Sequence, residues 1–250
     1  MRIEVFGLLV TLLLGIFIII GSLIAFLTKK KQKVIDFSLG LAFSVILMLI
    51  ILDLIPEIIE NLKLSYIWLF IIGVIVGFGI LKSLDSFIPD HEDHKMTNNE
   101  LKDNLAHIGV ISSIALIIHN IIEGMAIYST FISDVSTGLI LSLGVGFHNL
   151  PLGMVIATTF YQANQSKKKT FIFTGIVSLS TLFGGLIMFI LNNRQINSIL
   201  LGFLLSLTLG MLLFIVFSEL YHRVKHAKYK ESRNTGLLVG VILLLISWLI

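Results

Sequence analysis

His119-Asn120-Ile121-Ile122-Glu123-Gly124-Met125-Ala126-Ile127 and, 29 residues further on, His148-Asn149-Leu150-Pro151-Leu152-Gly153-Met154-Val155-Ile156 decide how this chain is read. Each stretch puts an imidazole and an amide in the middle of an apolar run long enough to cross a bilayer, and the first adds a carboxylate. Polar groups at that depth are costly and mark a functional site by default. The 250 residues are 56% hydrophobic and only 13% charged, with a mean hydropathy of +0.99. A soluble domain carries about 25% charged residues, so the composition is that of a polytopic membrane protein whose surroundings are lipid. The absence of cysteine excludes disulfides and thiolate metal sites. No polybasic block with interleaved aromatics points to nucleic acid.

Working outward, apolar runs of about 20 residues predict eight spans. They are Val5 to Leu27, Val34 to Ile55, Leu64 to Leu81, Leu105 to Tyr128, Thr137 to Tyr161, Thr170 to Leu191, Ile199 to Tyr221 and Thr235 to Ile250. The first run is too long for a signal-peptide core and lacks a small-residue cleavage site, so it reads as a retained helix. The fold class expected is an all-α bundle of eight transmembrane helices forming a single domain over 1–250. Fifteen of the eighteen Lys and Arg residues fall in the connections after spans one, three, five and seven. Those connections are therefore expected in the cytoplasm, with both termini extracytoplasmic.

The connection from Lys82 to Asn104 is the one long polar segment, and it holds His91-Glu92-Asp93-His94. Four nitrogen and oxygen donors in a row can bind a divalent ion loosely; a solvated acidic loop is the equal alternative. Gly73 with Gly77, and Gly236 with Gly240, have the spacing that lets membrane helices approach closely.

His119 and Glu123 are four residues apart and share a helix face, with Asn120 rotated by about 100°. Span five repeats the pattern in His148, Asn149 and Gly153, but Leu152 stands where the first copy has Glu123. Pro151 lacks an amide proton and crowds the Phe147 carbonyl, so a kink or unwound turn is expected near His148. Two imidazoles and a carboxylate suit zinc, and also iron, manganese or nickel, with a position left open to water, Asn120 or Asn149. Asp53 and Glu57 at the end of span two, and Ser218 and Glu219 near the end of span seven, mark the ends of a path. The bland reading, an interfacial residue at a helix end, is the better one for Glu57, His222 and His226, while for Asp53 and Glu219 the two readings balance.

With these motifs the chain resembles the ZIP (Zrt/Irt-like) family of divalent metal transporters over its whole length. The resemblance rests on His-Asn-Ile-Ile-Glu-Gly in span four, His-Asn-Leu-Pro in span five, Asp53 to Glu57, and Phe217-Ser218-Glu219-Leu220. It implies that His119, Glu123 and His148 hold the transported ion and that Asn120 and Asn149 lie beside a second site. It also implies uptake by movement of one helix bundle against another, and a homodimer. The ion is Zn2+, with Fe2+, Mn2+ or Cd2+ as alternatives, and no organic cofactor is expected. Short loops without organelle signals place the chain in the plasma membrane of a prokaryote.

Family members with two metals carry a glutamate at the position of Leu152, and many carry one in span six, where Ser178 is the nearest polar residue here. Two adjacent dications need several carboxylates to offset their repulsion. A single-metal or degenerate site is expected. Besides transport, a non-transporting metal-binding relative and an intramembrane metalloenzyme are the other readings. The last lacks the His-Glu-x-x-His spacing that supplies a general base.

Overall fold

The computed structural model describes residues 2–27, 32–87, 98–162, 166–191 and 197–249, and every element among them is a helix. In order these are α1 (Ile3–Leu27), α2 (Gln32–Leu49), a π-helical turn (Ile50–Leu54), α3 (Ile55–Asn61), a 3-10 turn (Leu64–Tyr66), α4 (Ile67–Phe87), α5 (Asn98–Ser133), α6 (Val135–Gln162), α7 (Lys167–Ile190), α8 (Ser198–Phe214), a second π-helical turn (Ile215–Leu220), α9 (Tyr221–Lys225) and α10 (Lys230–Leu249). Among the described residues seven stretches are long and apolar enough to cross a membrane, with α2 to α3 forming one and α8 to α9 another. α10 is the remaining long helix among the described residues. Continuous helix is the physical requirement in hydrocarbon, where no water is present to satisfy backbone N–H and C=O groups.

Outside the hydrocarbon, side chains close the helix starts. Asp134 accepts from the Thr137 amide at 2.9 Å, Ser166 accepts from Lys169, and Asn197 accepts from Ile199 and Leu200. Each meets an amide that the first turn leaves without an intrahelical partner. Asp36 does the same across the bundle. It is buried near the start of α2 and takes the Tyr229 amide at 2.7 Å, which ties α2 to the start of α10.

The packing has an approximate twofold pattern. α1, α6, α5 and α7 form a closed ring in which each helix touches the next; the pair α2 and α10 packs on α6, and the pair α4 and α8 packs on α5. Glycines set both flanking pairs. Gly40 lies against the Arg233 carbonyl and Gly236 against the Phe37 carbonyl, while Gly77 lies against the Leu207 carbonyl and Gly210 against the Val74 carbonyl. In each crossing a glycine meets the carbonyl three residues before the opposing glycine, where any Cβ would collide with backbone. The expected pairs Gly73–Gly77 and Gly236–Gly240 thus sit at close helix crossings.

Both π-turns fall at the ends of corresponding helices, α2 and α8. The Ile55 amide reaches back five residues to the Ile50 carbonyl, and the Tyr221 amide reaches the Val216 carbonyl. Such wide turns are uncommon and cluster at functional sites. Pro56 gives a reason for the first, since its ring crowds the carbonyl four residues back. Two expectations change. Helix enters the segment 82–104 from both sides, with α4 ending at Phe87 and α5 starting at Asn98; His91, Glu92, Asp93 and His94 lie outside the described residues. α6 stays helical through Pro151, so the unwound turn expected near His148 is not found and the helix carries the missing bond without a break.

Candidate metal site

α5 carries the core of the site. His119 Nε2 lies 3.6 Å from Glu123 Oε1, with the two side chains 6% and 10% exposed. Glu123 is ten residues from the end of α5, about 15 Å at 1.5 Å per residue. That is half the thickness of a hydrocarbon layer of about 30 Å. An imidazole and a carboxylate one turn apart on a rigid helix form half of a zinc coordination shell.

A cavity of about 670 Å³ leads to this pair. Its walls come from α2 and α3 with the π-turn between them, from α5, from α6 and from α8, and it opens toward the end where α5 gives way to α6. Asp53, Glu57 and Glu60 line it together with His119 and Glu123. Asp53 stands on the π-turn and Glu57 on α3. Glu60 is a further carboxylate that the sequence reading passed over. Its signal was its spacing, three residues after Glu57 and so on the same helix face. Four carboxylates around one water-accessible space make a field that concentrates cations.

Ser218 lies exposed on the second π-turn, outside the cavity. His148 and Glu219 have backbones in α6 and in that π-turn, and their side chains lie outside the described ones. Among the described residues no three His, Asp or Glu side chains form a ready metal cluster, so the described part of the expected trio is the His119–Glu123 pair.

Asn120 and Asn149 have a role that the sequence reading missed. Both are fully buried. Asn120 donates its side-chain amide to the Val177 carbonyl of α7 at 3.2 Å, and Asn149 donates to the Leu14 carbonyl of α1 at 3.4 Å. One turn on, Gly124 lies against the Thr181 carbonyl and Gly153 against the Ile18 carbonyl. The contact is reciprocal, with Gly184 against the Ile121 carbonyl and Gly21 against that of Leu150. Asn-x-x-x-Gly is therefore a helix clamp used twice, and its signal was the same spacing in both stretches. The Oδ1 atoms of both asparagines are buried with no hydrogen-bond partner among the described residues, which leaves them as neutral oxygen donors.

Leu152 is 1% exposed in the apolar core, so the position corresponding to Glu123 is filled by packed hydrocarbon. Ser178 donates to the Gly15 carbonyl at 2.7 Å and joins α7 to α1. Its hydroxyl proton is engaged between helices.

Comparison with known proteins shows the family. The family model described as ZIP Zinc transporter matches residues 84–247, which include both clamped stretches. The chain is 32% identical to the zinc transporter ZupT of Streptococcus mutans, over 96% of this chain and 95% of that protein. It is 31% identical to the ZupT of Clostridium perfringens, over 97% and 94%, and 30% identical to that of Chlorobaculum parvum, over 96% and 95%. These relatives are named as transporters, not as enzymes. A helical membrane bundle with a central histidine–glutamate pair, matched along nearly its whole length by such relatives, belongs to the ZIP family of zinc transporters.

Proposed function

We propose that the chain carries a divalent transition metal ion, zinc foremost, from the side on which the cavity opens to the side that bears the basic connections, the cytoplasm. The observation that supports this best is the shared cavity: Asp53, Glu57 and Glu60 line the same space as the His119–Glu123 pair. Asp53, Glu57 and Glu60 draw the hydrated ion in. Glu123 and His119 then replace part of its water shell, and His148 supplies the third strong ligand from α6. One carboxylate and neutral donors leave the bound ion net positive and of moderate affinity, which suits an ion that must leave again. The clamps hold the ring of α1, α6, α5 and α7 as one body, and the flanking pairs move against it to open the opposite side.

The zinc named in the relatives supports zinc here, with Fe2+, Mn2+ and Cd2+ sharing the ligand set. Bacterial relatives support a multi-pass protein of a prokaryotic plasma membrane, and a homodimer is the assembly we assign to it. Leu152 favours a second reading, a metal-binding relative that no longer transports. Zinc flux into proteoliposomes separates the two. Transport predicts uptake that Glu123→Ala or His119→Ala removes while the protein stays folded; saturable binding with no uptake by the native chain would leave only the second reading.

A further inference from the structure

The helix path through α8, the second π-turn and α9 begins at the cavity, which Leu201 and Leu205 line, and ends on the opposite face of the bundle. At that end stand His222 and His226, both exposed. Their ring centroids are 4.5 Å apart with planes inclined by 37°. Two imidazoles at i and i+4 on one face is the spacing by which a helix presents two nitrogens to a zinc ion, each about 2.0–2.1 Å from the metal. The backbone beneath them is fixed. The His226 amide bonds the His222 carbonyl at 3.1 Å, Val224 between them is buried, and Arg233 of α10 donates to the Val224 carbonyl at 3.0 Å.

The twofold pattern gives this pair a counterpart. Matching the two π-turns by their closing amides, Ile55 and Tyr221, sets Glu60 on α3 against His226, and Pro56 against His222. One imidazole thus stands where a carboxylate stands on the other mouth, and Arg223 holds the place of Glu57. The surroundings are basic, with Arg223, Lys225 and Lys228 in the same segment and Lys33 of α2 over the Tyr229 ring at 5.6 Å. The basic side chains oppose a cation, so an ion is held there by nitrogen coordination. That selects transition metals over Mg2+ and Ca2+, which prefer oxygen.

We propose that His222 and His226 form a two-nitrogen surface site for a Zn2+-class ion on the face opposite the cavity. Its role as the station that receives the outgoing ion rests on the transport reading; the binding itself does not. The test is equilibrium dialysis of Zn2+ against the purified full-length chain carrying Glu123→Ala, with and without a second substitution, in a large excess of Mg2+. The expected result is that His222→Ala or His226→Ala each removes one Zn2+ equivalent per chain and that Lys225→Ala on the same exposed segment removes none. Unchanged stoichiometry in the histidine variants, or the same loss in Lys225→Ala, would overturn the site. Size-exclusion profiles of the three variants show that each remains folded. Loss of uptake by Glu123→Ala bears on the transport reading and leaves this equivalent untouched.

Discussion

On α5, Asn120 bonds Val177 and Gly124 lies on Thr181; on α6, Asn149 bonds Leu14 and Gly153 lies on Ile18. The two copies dock on their neighbours in the same way, yet one presents Glu123 to the cavity and the other buries Leu152. What the copies share is architecture, and where they differ is chemistry. An asparagine and a glycine one turn apart hold each helix against backbone carbonyls. The carboxylate that faces the cavity comes from one copy.

The largest effect expected from breaking this asymmetry is functional. Glu123→Ala removes the only carboxylate that either copy supplies, and Zn2+ uptake by proteoliposomes should fall to that of protein-free vesicles. Leu152→Glu acts in the opposite sense by restoring the missing carboxylate. Without metal, a charge at that depth should destabilise the protein by about 3 kcal/mol; with Zn2+ the variant should bind a second ion between α5 and α6, read by metal analysis and by the rise in unfolding midpoint.

The shared part of the motif gives smaller effects that should be equal in the two copies. Gly124→Ala and Gly153→Ala each drive a methyl into a backbone carbonyl, and each should cost about 1–3 kcal/mol of stability in detergent. Asn120→Ala and Asn149→Ala remove one interhelical hydrogen bond apiece, worth about 1 kcal/mol. Matched losses fit a clamp. A variant that keeps its stability but loses metal affinity would assign its asparagine to the ion instead.

Much of the architecture was legible because hydrocarbon imposes its own length. Runs of about 20 apolar residues had to be helices, and the intramembrane His119–Glu123 pair had to be accounted for. What escaped was decided by tertiary contact. Nothing local says that Val177 and Leu14 accept the side-chain amides of Asn120 and Asn149. Glu60 was readable from its spacing to Glu57 but lay beyond the apolar run that framed the search. The π-turn at Ile50–Leu54 has a local cause in Pro56, whereas Ile215–Leu220 has no such mark and is set by packing. Pro151 misled as to unwinding, since α6 stays helical through it.

Anomalous scattering from crystals of the Zn2+-loaded protein tests the central asymmetry most directly. The account predicts a single peak between α5 and α6, at coordination distance from His119 and Glu123, with packed Leu152 beside it. Two adjacent peaks between those helices, or one peak displaced from Glu123, would contradict it.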